Sequence, residues 1–168
     1  MKNKLIFLII IIFFGFQNLS LSSGFNFEGS NLEILEGGKL IRANQGKAIS
    51  NDGNFEISSD KFEYLKDKDI LKSIGNGVVF INSEKLKIEY DNAIFDQNNL
   101  TFEATGNVKI FELNRKFVIK NNKISYDQKD NIVNSNDITK IEDKFGNIYF
   151  VDNFIFEINK NLIKVKNL

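Results

Sequence analysis

The feature that most constrains the fold of this chain is a repeat with a period of about 30 residues. Three segments align, beginning at Phe55, Leu86 and Phe117, and a weaker copy begins at Phe25. Aligned positions of the three segments lie 30 or 31 residues apart. They form an Asx column (Asp60, Asp91, Asn122, Asp152), an aromatic column (Tyr64, Phe95, Tyr126, Phe156) and a turn column (Gly75-Asn76, Gly106-Asn107, Asn136-Asp137). Such a period is typical of folds that build one core from stacked, similar units.

Apolar and polar residues alternate inside each unit, as at Leu86, Ile88, Ala93 and Phe95. A period of two predicts strands, and no segment after residue 24 has the apolar spacing of an amphipathic helix. The polar segments at 65–69, 96–99, 127–130 and 157–161 predict hairpin turns, as do the Gly-Asn pairs and residues 143–146. We therefore predict an all-β fold of stacked antiparallel repeats, with two to three short strands per unit and about 14 to 16 strands in total.

One face of each strand should point inward, and the inward positions are aromatic or branched aliphatic. The candidates for this inner surface are Phe62, Tyr64, Ile88, Phe95, Phe102, Ile110, Ile119, Ile124 and Tyr126. Two interpretations are open. The side chains either pack together as a closed core or line a groove that shelters acyl chains.

Residues 1–22 have the layout of a secretory signal peptide. Lys2 and Lys4 precede an apolar run of 12 residues from Leu5 to Phe16, and a short polar stretch follows. Because a membrane-spanning helix needs roughly 20 apolar residues, cleavage after Ser22 is favoured over retention as an anchor. We predict a signal peptide at 1–22 and one folded domain at 23–168 that works outside the cytoplasm.

Composition argues against most enzymes and against nucleic-acid binding. The chain has no His and no Cys, and Lys+Arg 22 balance Asp+Glu 22. This removes His- and Cys-dependent catalysis, Cys/His zinc sites and a basic surface for phosphates. Asp60, Asp91 and Asp152 recur with the structural period, which favours a structural role. We expect no enzyme activity, no metal and no cofactor. A calcium site at Asp67, Asp69 or 127–130 is the less favoured alternative, because the spacing matches no calcium loop.

The motif apolar-x-apolar-x-x-Asx-x-apolar-x-aromatic, followed by a polar turn and a Gly-Asn pair, runs through 55–79, 86–110 and, less faithfully, 117–139. It resembles the organic-solvent-tolerance (OstA-like) domain of the lipopolysaccharide-transport proteins, over roughly residues 25–168. The resemblance implies a β-jellyroll in the periplasm whose apolar interior holds the acyl chains of lipid A. It also implies pairing of edge strands with other jellyroll proteins of the pathway.

Two kinds of family member carry this domain, and both remain open here. One is the LptD N-terminal domain, which continues into an outer-membrane β-barrel and commonly carries disulfides, whereas this chain has no Cys. The other is an LptA-like free carrier in the periplasm, which the length suits. We expect a domain without a C-terminal β-barrel, with lipopolysaccharide and related jellyroll proteins as partners and a barrel as a further partner in the first case. The alternative function is a structural β-repeat module of the envelope, or a truncated assembly protein, without cargo.

Overall fold

The computed structural model describes residues 24–114 and 117–167, which form one antiparallel sheet of eleven strands. The strands are β1 (Phe25–Leu35), β2 (Leu40–Ser50), β3 (Phe55–Leu65), β4 (Ile70–Ile81), β5 (Leu86–Asp96), β6 (Thr101–Glu112), β7 (Phe117–Asp127), β8 (Ile132–Ser135), β9 (Thr139–Glu142), β10 (Ile148–Glu157) and β11 (Leu162–Asn167). In the described ranges, helical geometry is confined to short 3-10 turns at Glu36–Gly38 and Lys66–Lys68. The all-β prediction is confirmed.

The predicted signal peptide at 1–22 lies outside the described residues. Within the described part, no helix is long and apolar enough to cross a membrane.

The strands follow one another in the sheet as a meander from β1 to β8, and then β10 and β11. β8 and β9 act as one interrupted strand, because both pair antiparallel with β7 and with β10. Asn136 and Asp137 therefore lie in an interruption of a strand and not in a hairpin.

The prediction that the Gly-Asn pairs are hairpin turns is wrong for the pairs in β4 and β6. They are β-bulges in the middle of strands of 12 residues, where the pairing register shifts. Gly75 and Asn76 have φ of +80° and +46°, and these left-handed values bend the strand without reversing it. The units that begin at Phe55 and Leu86 therefore have two long strands each, and the described chain has eleven strands where about 14 to 16 were predicted.

The Asx column stabilises these bulges from the neighbouring strand. Asn76 Nδ2 donates to Asp60 Oδ2 at 2.7 Å, and Asn107 Nδ2 donates to Asp91 Oδ2 at 2.8 Å. These two carboxylates are thus structural, as their period predicted.

The polar segments predicted as hairpin turns are confirmed. Turns at 66–69, 97–100, 128–131 and 158–161 join β3 to β4, β5 to β6, β7 to β8 and β10 to β11, and a turn at 143–147 precedes β10. In each of the four, the last residue is left-handed, as in a type I turn followed by a G1 bulge.

The bulges divide the long strands into two halves, which face each other across the core. We name the half on the side of the hairpins at 51–54 and 82–85 layer A, and the half on the side of the hairpins at 66–69, 97–100, 128–131 and 158–161 layer B. Phe55 in layer A contacts Phe95 in layer B, with ring centroids 5.7 Å apart. Phe117 and Phe156 meet across the layers in the same way at 5.4 Å. Each fully buried Phe or Ile contributes about 1.5–3 kcal/mol to the stability of this core.

The two ends of the roll leave opposite layers uncovered. At the β1 edge, Leu32 and Ile34 stand opposite the inner-face residues Ala43 and Ile41 of layer B, yet they are 51% and 65% exposed. At the other end, Tyr149 of layer A stands opposite buried Ile141 and is 45% exposed. The layers are therefore offset, and each end presents apolar inner surface beside an unpaired strand edge.

Candidate functional site

A cavity of about 620 Å³ opens between the layers where the β2–β3 hairpin faces the β5–β6 hairpin. Its floor and apolar wall consist of Phe25, Phe55, Phe95 and Leu100. Its rim carries polar side chains, which are Asn26, Ser50, Asn51, Asp52, Gln97 and Gln128. Apolar walls below a few polar groups are the usual composition of a site for an amphiphilic small molecule.

The aromatic floor is built around Phe95. Its ring stacks on Phe102 with centroids 4.4 Å apart, and it meets the rings of Phe25 and Phe55 edge to face at 5.9 and 5.7 Å. These rings come from β1, β3, β5 and β6, so both layers must be in place to form the floor. Such packed aromatic pairs favour a fixed arrangement of rings.

Leu100 brings an apolar side chain to the mouth of the cavity. It occupies the left-handed position of its hairpin with φ of +55°, and its side chain is 44% exposed. Asp69, Asn131 and Asn161 occupy the same position in the other three hairpins of layer B. Asn and Asp tolerate this conformation, whereas for a Leu it costs about 1–2 kcal/mol. The hairpin at the cavity thus holds a leucine where its neighbours have a polar residue.

At the same hairpin, the residue of the aromatic column is Phe95, which has no hydroxyl. In the flanking units, the Tyr64 hydroxyl donates to Asp69 Oδ1 at 2.5 Å, and the Tyr126 hydroxyl donates to Asn131 Oδ1 at 2.8 Å. Burial raises the pKa of both phenols well above the ordinary value, and the Asp69 carboxylate adds to the shift of Tyr64. The middle unit therefore lacks this hydrogen bond, and the apolar side chains of Phe95 and Leu100 line the cavity instead.

Some polar side chains of the rim form hydrogen bonds within the protein, and others do not. Asn26 Nδ2 donates to Asn51 Oδ1 at 3.1 Å, and Asp52 Oδ1 accepts from the Ser50 hydroxyl and from the Asn54 backbone N–H. The half-buried carboxamides of Gln97 and Gln128 have no hydrogen-bond partner in the described part of the chain. Their donors and acceptors are therefore available to a ligand.

All nine residues predicted from the sequence point inward and are buried. They lie in three cross-strand rows, which are Tyr64, Phe95, Phe102 and Tyr126; Phe62 and Ile124; and Ile88, Ile110 and Ile119. Of the nine, Phe95 lines the cavity and the other eight belong to the closed core. Contact of these residues with lipid stays a prediction.

Most of the residues at the mouth of the cavity were not identified from the sequence. Gln97, Leu100 and Gln128 lie in or beside hairpin turns, where polar residues had been explained by turn formation alone. One signal was available, since Leu100 breaks a column that otherwise holds Asp69, Asn131 and Asn161. In residues 24–114 and 117–167, no group of three or more Asp, Glu, His or Cys side chains could hold a metal ion.

Comparison with known proteins relates this chain to a solved structure by fold. It is similar to the crystal structure of LptH from Pseudomonas aeruginosa, described as the LptA homologous periplasmic component of the conserved lipopolysaccharide transport device. The TM-score is 0.60 at 14% sequence identity, and the match covers 68% of this chain and 82% of that one. No family model and no curated protein matches the sequence. The similarity identifies the fold as an LptA-like β-jellyroll, as the resemblance had implied.

Proposed function

We propose that this protein is a periplasmic component of lipopolysaccharide transport and outer-membrane assembly, which holds acyl chains in the cavity between its layers. The fold that it shares with LptH supports the proposal. The volume of about 620 Å³ lies inside the range of about 300–1,000 Å³ that is usual for small-molecule sites.

The observation that carries the proposal is that Phe95 and Leu100 line the cavity where the two flanking units have a hydrogen-bonded Tyr–Asx pair. A half-exposed leucine in a left-handed conformation lowers the stability of the chain and is retained here beside an apolar floor. Strain of this kind is found where a site needs a particular side chain in a particular place. An acyl chain that entered past Leu100 would reach the ring of Phe95.

The other eight predicted groove residues would contact lipid only if the layers separated further. Phe102 stacks directly on Phe95, so the aromatic row continues the cavity floor into the core. We propose that this row accommodates a longer or a second acyl chain.

Partners would join at the two ends of the roll. The β1 edge exposes the inner face of layer B, whereas the β10 end exposes the inner face of layer A. A related jellyroll that docks by edge-strand pairing would cover both the unpaired backbone groups and the apolar surface. An outer-membrane barrel protein with such a domain would dock by the same edge-strand pairing.

The test is native mass spectrometry of the protein purified gently from a Gram-negative periplasm, followed by titration with lipid A. The variant Phe95→Tyr/Leu100→Asn rebuilds the pair found at Tyr126 and Asn131, so it should fold and close the mouth. We expect a lipid adduct on the native protein and its loss in the variant. Leu113→Asn is the matched control, because it removes a half-exposed hairpin leucine that does not line the cavity.

A structural envelope module is the second candidate, favoured by the burial of all nine predicted groove residues, Phe95 included. It predicts a folded native protein that carries no adduct and does not bind lipid A. That result would overturn the carrier proposal.

A further inference from the structure

We propose that the mouth of the cavity selects amphiphiles whose head is uncharged and bears hydroxyl or amide groups, and that it disfavours a phosphate placed at the rim. This inference rests on the proposed function, since it concerns the head of a molecule whose acyl chain lies in the cavity. For a lipid with both sugar and phosphate groups, it means that a sugar hydroxyl or an amide meets the rim and the phosphates lie away from it.

The charge of the rim is the first argument. Asp52 is the one ionisable residue among the described residues that line the cavity. Its Oδ1 is held by the Ser50 hydroxyl and the Asn54 backbone N–H, which fixes the carboxylate beside the mouth. Sites for phosphate use cations or clusters of N–H donors, and a carboxylate near a phosphate is repulsive. The rim therefore has the wrong charge for an anionic head.

The free carboxamides are the second argument. Gln97 and Gln128 stand on either side of Leu100 in the stacked hairpins, because Gln97 N–H donates to Asp69 O at 3.1 Å and Gln128 N–H donates to Leu100 O at 2.9 Å. Each half-buried side chain offers two donors and one acceptor without a partner among the described residues. Hydroxyl and amide groups match this mixture, because they also donate and accept.

The carboxylate and the two carboxamides lie around one opening. Leu100 receives the apolar chain, while Gln97 and Gln128 flank it and Asp52 faces them from the β2–β3 hairpin across the opening. A molecule with its chain on Phe95 would thus have its first polar atoms between these side chains.

Isothermal titration calorimetry with three amphiphiles of equal, twelve-carbon chain length tests the inference. Dodecyl maltoside has an uncharged sugar head, dodecyl phosphate an anionic head and dodecyltrimethylammonium a cationic head without donors. Each is titrated below its micelle concentration into the exported, full domain at physiological salt. We expect dodecyl maltoside to bind about fivefold more tightly than dodecyl phosphate, the size of one like-charge contact between solvent-exposed groups in water.

Two variants assign the preference to the rim. Asp52→Asn keeps an acceptor oxygen for Ser50 and Asn54 and removes the charge, so the difference between the sugar and phosphate heads should shrink several-fold. Asp67→Asn removes an equal charge from the β3–β4 hairpin, where Asp67 pairs with Lys39 at 3.2 Å, and it should leave the difference unchanged.

The outcomes separate this inference from the proposed function. Binding of all three amphiphiles with equal affinity, or tightest binding of the phosphate, would overturn the head selectivity and leave an acyl-chain site in place. Failure of every amphiphile to bind the folded protein would overturn the proposed function and this inference with it.

Discussion

The hairpins at 97–100 and 128–131 occupy the same place in successive units and differ in chemistry. Their backbones agree closely, with φ of +55° at Leu100 and +54° at Asn131. Asn131 accepts a hydrogen bond from Tyr126, whereas Leu100 and Phe95 have no polar group to exchange and line a cavity instead. The comparison teaches that the two units share a backbone, and that the different side chains at Phe95 and Leu100 coincide with the cavity.

The largest difference should appear between Tyr126, which bonds the 128–131 hairpin from the core, and Leu100, which lies half-exposed at the end of the 97–100 hairpin. Tyr126 is buried, so Tyr126→Ala should lower the free energy of unfolding by about 3–5 kcal/mol, the usual cost of removing a large core side chain. Leu100→Ala should change it by less than about 1 kcal/mol, because half of the leucine is already in water. Urea denaturation followed by circular dichroism measures both. Equal losses would mean that Leu100 supports the fold as strongly as a core residue does.

Alkaline pH should destabilise the folded chain through its buried tyrosines, of which Tyr90 lies in the middle unit and Tyr64 and Tyr126 lie in the flanking units. Burial raises the pKa of Tyr64, Tyr90 and Tyr126, so the folded chain keeps protons that the unfolded chain releases above about pH 10. Stability should therefore be constant below that pH and fall above it, by up to about 1.4 kcal/mol per pH unit for each tyrosine.

Urea midpoints at pH 8 and above pH 10 measure this fall, and tyrosinate absorbance should rise together with unfolding. Phe95→Tyr/Leu100→Asn should make the fall steeper, because it adds a buried phenol. Tyrosinate absorbance that rose fully while the protein stayed folded would contradict the expectation.

Moving the middle unit's residues into a flanking unit is the reverse test. Tyr126→Phe/Asn131→Leu should cost about 1.5–3.5 kcal/mol, the sum of one hydrogen bond and a leucine in the left-handed conformation. Lipid binding at the native cavity should persist, since neither residue lines it. A double variant as stable as the native protein would show that the polar pair does not stabilise the hairpin.

The smallest effect is expected for Leu100→Asn alone. Asparagine tolerates φ of +55° better than leucine does, so the variant should gain about 0.5–1 kcal/mol while its affinity for acyl chains falls. Urea midpoints and lipid titration on the same sample measure both changes. Gain of stability with unchanged affinity would remove Leu100 from the site.

Much of the core could be predicted from the sequence, because its signals are local. Alternation placed Ile88, Phe95 and Phe102 on the inner face, where all three are buried. The aromatic column from Tyr64 to Phe156 indeed forms one row across the sheet.

The Gly-Asn pairs show where local reasoning fails. Glycine followed by asparagine supplies two left-handed residues, and these suit a tight turn or a bulge equally well. Gly75 and Asn76 form a bulge because β3 and β5 pair with β4 on both sides of them. Pairing partners on the neighbouring strands, such as Lys61 and Tyr90, decided between the two outcomes, and a local pattern contains no information on them.

The sequence by itself determined the repeat, the strand class, the inward face and the hairpins at 66–69, 97–100 and 128–131, because each depends on residues close together in the chain. Only the tertiary structure decided that layer A packs on layer B, and that Phe25, Phe55 and Phe95 meet below the β2–β3 hairpin. Two interpretations of the inward residues were open. The structure buries all nine of them and places a cavity beside Phe95, and their contact with lipid stays a prediction. The physical reason is that a cavity is space left between layers, and the packing of residues distant in sequence sets that space.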